Sequence, residues 1–535
     1  MSTPGYGQNG SLIGPEVSVT AQSASGVFTL AELTEAMRGA AWPMPFDGFI
    51  GALDPNHPSA TSTQVVANVD LDSNGALLLN FYTYTNPTGA YYQGGFAKIN
   101  TSAKTLTDNK LYRVGNENHY TVMCNLTVDS AGSDDIYMSG YTDASGYNGI
   151  WTTKLNSSYV EQWFGINSSE ELFRRGASSQ PSYCHKPASH RMSPDGTYLY
   201  GGGYGLNTGY DACFVPIYTS TGYRIGANNI TDYSNPPGMG FYARASAINN
   251  SNFAYVGFPY HVSYGGYHNT VFKTYNGGST ASGVAMRIDF NGGSYSGGSY
   301  MSNGHMGQLY NQVSNADRYP FMGALTGGTG NGTGMFFRWN HATGWNTFDQ
   351  QWRLAVNAAD SPGTPTSISD VSGITFTAND STCYALMRDG GDPAGCSQNY
   401  LVSFDPDTSS TTINWQRKIL VYRTADGTGV QNALYLTEPK LDSTEKNLYF
   451  AGAMTTSNIS RNEMLVFKLP VDGSGTGTYT VGDYTVVYEA SNMTGTQGDL
   501  IGSTTGNTVQ TFYPNESGTG TRTNTDQSGA TLVMG

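Results

Sequence analysis

Residues 75–84, GALLLNFYTY, lead through a loop into 94–100, GGFAKIN, and residues 135–142, DIYMSGYT, lead in the same way into 149–156, GIWTTKLN. Each pair is an aromatic and β-branched run of strand length followed by a second short strand, and the turn dipeptide Asn74-Gly75 opens the first of them. Five more pairs follow: 197–205 TYLYGGGYG with 212–218 ACFVPIY, 253–260 FAYVGFPY with 270–276 TVFKTYN, 319–327 YPFMGALTG with 335–340 MFFRWN, 382–390 TCYALMRDG with 399–405 NYLVSFD, and 447–455 NLYFAGAMT with 464–470 MLVFKLP. The closing residues Asn100, Asn156, Tyr218, Asn276, Asn340, Asp405 and Pro470 are spaced by roughly 56 to 65. A spacing that steady marks an internal repeat, longer than the ~40–50 of compact four-stranded blades, so the excess belongs to loops.

Each pair is followed by a third strand with a basic or aromatic centre: LYRV, EQWFGI, YRIGA, AMRIDF, QQWRLAV, WQRKIL and YTVVY. A weaker fourth strand precedes the pair, as in NLTVDS, ARASAI and SGITFT. Four short strands cannot bury both faces alone, whereas seven such units stacked around an axis bury them against one another and leave only short edges. The expected fold is therefore all-β, a seven-bladed β-propeller over residues 46–490. YTVVY has no eighth pair to join and is expected to complete the sheet of the first unit; the N-terminal run FDGFIGAL is the alternative closing partner. A parallel β-helix has shorter coils and lacks paired strands joined by turns such as Asp195-Gly196.

Two segments lie outside the repeat. Residues 1–45 read as a Gly/Ser/Asn-rich arm followed by a short helix, because Thr29-Leu30-Ala31-Glu32 matches a capping box and Leu33, Met37 and Ala40 continue an apolar stripe toward Trp42. Residues 491–535 are Gly, Thr, Ser and Asn with few large apolar side chains, an extended arm that orders only against a partner.

Composition narrows the function classes. Charged residues are 12% of the 535, Gly numbers 68 and Tyr 38, and the net charge is −14 with a pI near 4.9. Phosphate binding needs clustered Lys and Arg, so nucleic acid is excluded as a partner. The first thirty residues lack a basic segment followed by an apolar core, and no run reaches the 18 apolar residues of a membrane span. Five cysteines without C-x-x-C spacing predict free thiols rather than a zinc site or disulfide framework, a Cys383–Cys396 pair being the minor alternative. Asp70-Leu71-Asp72-Ser73-Asn74-Gly75 matches the first half of a calcium loop, but Phe81 stands where the bidentate Glu belongs, so the run predicts a turn and no metal. The closest histidine pair, His185 and His190, lacks helical ligand spacing, and there is no nucleophile elbow or P-loop. No cofactor and no catalytic residue are expected. The long loops are rich in Tyr, Ser, Gly and Asn, residues that combine rigid aromatic area with adaptable hydrogen bonds. Tyr260, Tyr264, Tyr267, Tyr295 and Tyr300 are the expected ligand-binding group, suited to stacking on sugar rings.

WQRKIL at 415–420, NLYFAGAMT at 447–455, MLVFKLP at 464–470 and the exit VDGSGTGTYTVGDYTVVYEASNMT, with SLIGPEV and SASGVFTLAELTEAMRGAAWP near the N-terminus, resemble the bead-repeat β-propellers of tail-associated proteins in marine bacteriophages. The resemblance touches both ends and all seven units, and it transfers no catalytic residue. It implies a virion tail or tail-fibre protein, assembled in the host cytoplasm as a homo-oligomer. In that role the 1–45 arm joins other tail proteins and the propeller meets a host-surface glycan or protein. A purely structural tail component and a tail-associated polysaccharide depolymerase are the alternatives.

Overall fold

A computed structural model of the chain describes residues 48–56, 64–85, 91–115, 118–142, 149–167, 191–192, 196–206, 210–222, 227–231, 245–248, 254–262, 266–273, 285–290, 305–306, 321–326, 333–339, 348–355, 368–379, 381–389, 397–406, 413–423, 434–454, 463–497, 500–504, 508–512, 522–528 and 530–534. These residues are all-β, and their strands pair antiparallel into seven sheets. The helix expected at 29–42 and the rest of the 1–45 arm lie outside them.

Strand β1 (Phe49–Asp54) precedes the repeat. The first sheet is β2 (Gln64–Leu71), β3 (Leu77–Thr85), β4 (Tyr91–Asn100) and β5 (Thr105–Val114); the second is β6 (Thr121–Val128), β7 (Ile136–Thr142), β8 (Gly149–Leu155) and β9 (Glu161–Asn167). The third is β10 (Arg191–Met192), β11 (Tyr198–Leu206), β12 (Tyr210–Tyr218) and β13 (Ala227–Thr231), so its last strand begins where YRIGA ends. The fourth is β14 (Ala245–Ile248), β15 (Ala254–Val262), β16 (Gly266–Lys273) and β17 (Ala285–Phe290). The fifth is β18 (His305–Met306), β19 (Phe321–Thr326), β20 (Thr333–Trp339) and β21 (Phe348–Ala355). The sixth is β22 (Ile368–Phe376), β23 (Cys383–Asp389), β24 (Ser397–Phe404) and β25 (Ile413–Arg423). In the seventh, β26 (Leu434–Leu436) and β27 (Lys440–Leu441) both pair with β28 (Asn447–Met454), which pairs with β29 (Met464–Pro470).

The seventh sheet takes its next strand from the N-terminus. β1 pairs with β29, Phe49 opposite Lys468 and Leu53 opposite Met464. YTVVY, expected to complete the first sheet, instead lies in β31 (Tyr484–Ala490), where it pairs with β30 (Gly477–Val481) and with β25 of the sixth sheet. Burial gives the reason. Five of the six β1 residues, Phe49 to Leu53, are buried, so β1 is covered on both faces, would waste that apolar surface at a half-solvated position, and matches β29, buried from Met464 to Leu469. β31 alternates buried and partly exposed residues, the pattern of a strand with one wet face.

After β31 the chain turns back along the path it came. β32 (Thr494–Gln497) pairs with β21, β33 (Leu500–Thr504) with β17, β34 (Thr508–Phe512) with β13, β35 (Arg522–Asp526) with β5, and β36 (Thr531–Met534) with β1. The C-terminal extension thus finds its partner in the outer edges of its own sheets, visited in reverse order. Thr and Gly suit that position, because an edge strand with a wet face needs backbone pairing more than a large apolar side chain.

The cores lie between sheets. Phe49, Tyr449 and Val466 of the seventh pack with Val69, Leu79 and Phe81 of the first. Tyr82, Phe96 and Tyr112 of the first pack with Met123, Met138 and Trp151 of the second. Leu386, Leu401 and Ile419 of the sixth join Leu448, Phe450 and Phe467 of the seventh. The last sheet therefore packs on the first. Polar ties run along the same boundaries: Trp163 Nε1 donates to the Thr219 carbonyl at 2.9 Å and Trp415 Nε1 to the Val471 carbonyl at 2.8 Å, second sheet to third and sixth to seventh.

Candidate functional site

Of the five tyrosines expected to bind ligand, Tyr260 lies in β15 and Tyr267 in β16. In that hairpin Tyr260 pairs with His268 and His261 with Tyr267, so the two tyrosines are not a directly opposed pair. Tyr264, Tyr295 and Tyr300, with His185, His190 and Cys396, lie outside the described residues. Cys124 is half-buried and Cys383 buried.

The run 70–75 is the turn between β2 and β3. Asp72 Oδ1 accepts the backbone N–H groups of Asn74 at 2.9 Å and Ala76 at 2.8 Å, while its Oδ2 meets Lys98 Nζ at 2.8 Å. Asp70 accepts Leu71 N at 3.0 Å and Val128 N at 2.9 Å. Gly75 supplies the left-handed φ of +75° that closes the turn. These carboxylates fasten backbone: Ser73, beside them, donates through N and Oγ to Asp134 in the equivalent turn of the second sheet, at 2.7 and 2.6 Å.

A cleft of about 360 Å³ opens where the first and second sheets meet at their outer edges. Its wall comes from three stretches of chain: Tyr112 on β5, Leu155, Tyr159 and Glu161 around the β8–β9 turn, and Arg522 to Asn524 on β35. Pairing of β35 with β5 sets Asn524 opposite Tyr112 and so brings residues more than four hundred positions apart into one wall. Arg522 Nε lies 3.1 and 3.0 Å from the two Glu161 oxygens, the guanidinium also bonds through Nη2, and its plane covers the Phe164 ring at 4.4 Å. The carboxylate holds the guanidinium protonated above even its usual range. Tyr159, at a φ of +64°, donates its hydroxyl to Asp108 at 2.7 Å, and its carbonyl accepts Asn524 Nδ2 at 3.1 Å. Lys110 sits 4.9 Å from the Tyr159 ring centre and pairs with Asp526. Burial pushes the Tyr112 and Tyr159 phenols up, so both stay neutral across the physiological range.

Sequence reasoning passed over this cleft. LYRV and EQWFGI read as strands with basic or aromatic centres, but the third wall comes from the tail, and nothing local in TRTNTDQ says which strand edge it will cover. The aromatic signal in Tyr159 was masked by its place in a turn after Asn156.

No protein-family model and no curated protein matches the chain. Among solved structures it is similar to the phage phi92 endosialidase, with 8% identity, a TM-score of 0.41, and coverage of 80% of this chain and 69% of that one. It is also similar to the periplasmic gluconolactonase PpgL of Pseudomonas aeruginosa, with 9% identity, a TM-score of 0.38, and coverage of 81% and 99%. A third is the β-propeller domain of the Trilobed protease from Pyrococcus furiosus, with 8% identity, a TM-score of 0.38, and coverage of 76% and 93%. Likeness at this level assigns no activity and no ligand.

Proposed function

We propose that the chain is a seven-bladed β-propeller serving as a bacteriophage virion tail or tail-fibre protein, displayed to bind a host-surface glycan and not itself catalytic. The observation that carries this reading is the outward-facing cleft at the junction of two sheets, built on a ring in which the seventh sheet packs on the first and takes a strand from the N-terminus. A closed ring fixes such a cleft without loop rearrangement, which favours binding because little conformational freedom remains to be lost. In this reading residues 1–45 join neighbouring tail proteins, and copies of the chain meet through that arm.

Incubation of the purified protein with host surface polysaccharide tests the reading. Retention of the polysaccharide without cleavage is the expected result; cleavage assigns a depolymerase, and neither assigns a structural tail component. A chain beginning at Trp42 is expected to stay folded and keep glycan binding but fail to enter virions, and normal incorporation would overturn the role of the arm.

A further inference from the structure

We infer that the cleft between the first and second sheets is a binding site for a single neutral saccharide ring, and that β35 completes it. The inference rests on the glycan-binding reading and gives it an address. Charge comes first. Both cations at the cleft are already held by carboxylates, Arg522 by Glu161 and Lys110 by Asp526, while Asp108 accepts the Tyr159 hydroxyl. An anionic ligand would have to compete with those carboxylates, and a cation with those bases. A neutral ligand leaves every pair intact.

The polar pattern comes next. The guanidinium of Arg522 and the carboxylate of Glu161, 24% and 26% exposed, are fixed side by side, so donors lie next to acceptors at a set spacing. Vicinal hydroxyl groups, each both donor and acceptor, complement such an edge better than a ligand of one sense does. The exposed Asn524 side chain, opposite Tyr112 and on the same face of β35 as Arg522, extends the edge. Tyr159, held by its bond to Asp108, packed on Phe96 and covered by the Lys110 ammonium at 4.9 Å, gives the wall a fixed shape. A volume of about 360 Å³ falls at the low end of the roughly 300–1,000 Å³ of small-molecule sites, which suits one ring and not a long bound chain. Three of the wall residues come from β35, so the repeat alone does not make the site.

Titration of the full chain with the methyl glycosides of glucose, galactose and mannose, followed by saturation-transfer NMR, tests this, with N-acetylneuraminic acid as the anionic contrast. At least one neutral glycoside is expected to bind with a Kd on the order of 1 mM. Asn524→Trp, which fills the cleft from an exposed position on the same face of β35 as Arg522, is expected to weaken that binding at least tenfold with little change in melting temperature. Asn524→Ala is the second variant, expected to weaken it severalfold. Unchanged binding in both variants overturns the site, and if Tyr267→Ala abolishes binding instead, the ligand sits on the fourth sheet and the glycan reading survives. Preference for the anionic sugar overturns the stated chemistry. Failure of every glycoside alongside retention of host polysaccharide overturns this site alone; failure of both overturns the function as well.

Discussion

Trp163 and Trp415 each reach a carbonyl 56 residues ahead, and beside each indole stands a glycine of the next sheet, Gly222 or Gly473, both at a φ of +72°. A Cβ on Gly222 would come within 2.6 Å of the Trp163 ring, and one on Gly473 within 2.7 Å of the Trp415 ring. The glycines therefore serve two ends at once, a left-handed turn and a flat seat for an indole. Gly473→Ala is expected to lower stability by roughly 1–3 kcal/mol through backbone strain and loss of that seat; an unchanged urea midpoint would show that the seat is dispensable. The tryptophans were legible within the strands EQWFGI and WQRKIL. Their glycine partners were not, since each lies in a turn of the following unit and looks like ordinary turn chemistry. Tyrosine burial gives a second prediction at this scale. Burial pushes the Tyr384 phenol up to about 12 and raises those of Tyr112 and Tyr488 as well. An unfolded tyrosine ionises near pH 10, so these residues support the fold fully below about pH 10 and that support is lost as pH climbs through 10 toward 12. Absorbance at 295 nm is expected to show a late phenolate phase that coincides with loss of β-sheet circular dichroism. Ionisation of every tyrosine before unfolding would contradict it.

At the level of elements, the seven hairpin pairs were legible because strand length, aromatic content and turn dipeptides all pointed one way. Ring closure was legible only as a choice between two strands, and side-chain period decides it: FIGAL carries no polar residue on either face, while YTVVYEA alternates. The consequence can be measured. Phe49, Ile50 and Leu53 are each almost wholly buried. At roughly 1.5–3 kcal/mol apiece their loss is comparable to the whole net stability of about 5–15 kcal/mol. A chain lacking residues 46–54 is therefore expected to lose cooperative unfolding. Removal of 527–535 takes away β36, whose residues are exposed or partly exposed, and is expected to lower the melting temperature by only a few degrees. Equal damage from the two deletions would mean that closure does not depend on β1.

For the whole molecule, the repeat says how many units to expect, yet the path of residues 491–535 was invisible, because Gly- and Thr-rich sequence pairs with any free edge and its destination is set by where the sheets leave one. A chain ending at Pro470 keeps β1 on β29 and loses every later strand, so it is expected to fold but to associate through its bare edges, visible as a rise in mass by sedimentation. A monomer of unchanged stability would show that the added strands are ornamental. The same path also fixes a timetable. Lys110 meets Asp526 only after 416 further residues have been made, and at about 5–20 residues per second that is a wait of roughly 20–80 s. Throughout that interval the nascent chain offers the ribosome's surroundings a row of unpaired strand edges, the oldest exposed longest. Prematurely terminated products keep those edges for good, so translation speed and chaperone supply during expression decide how much of this protein reaches its native state.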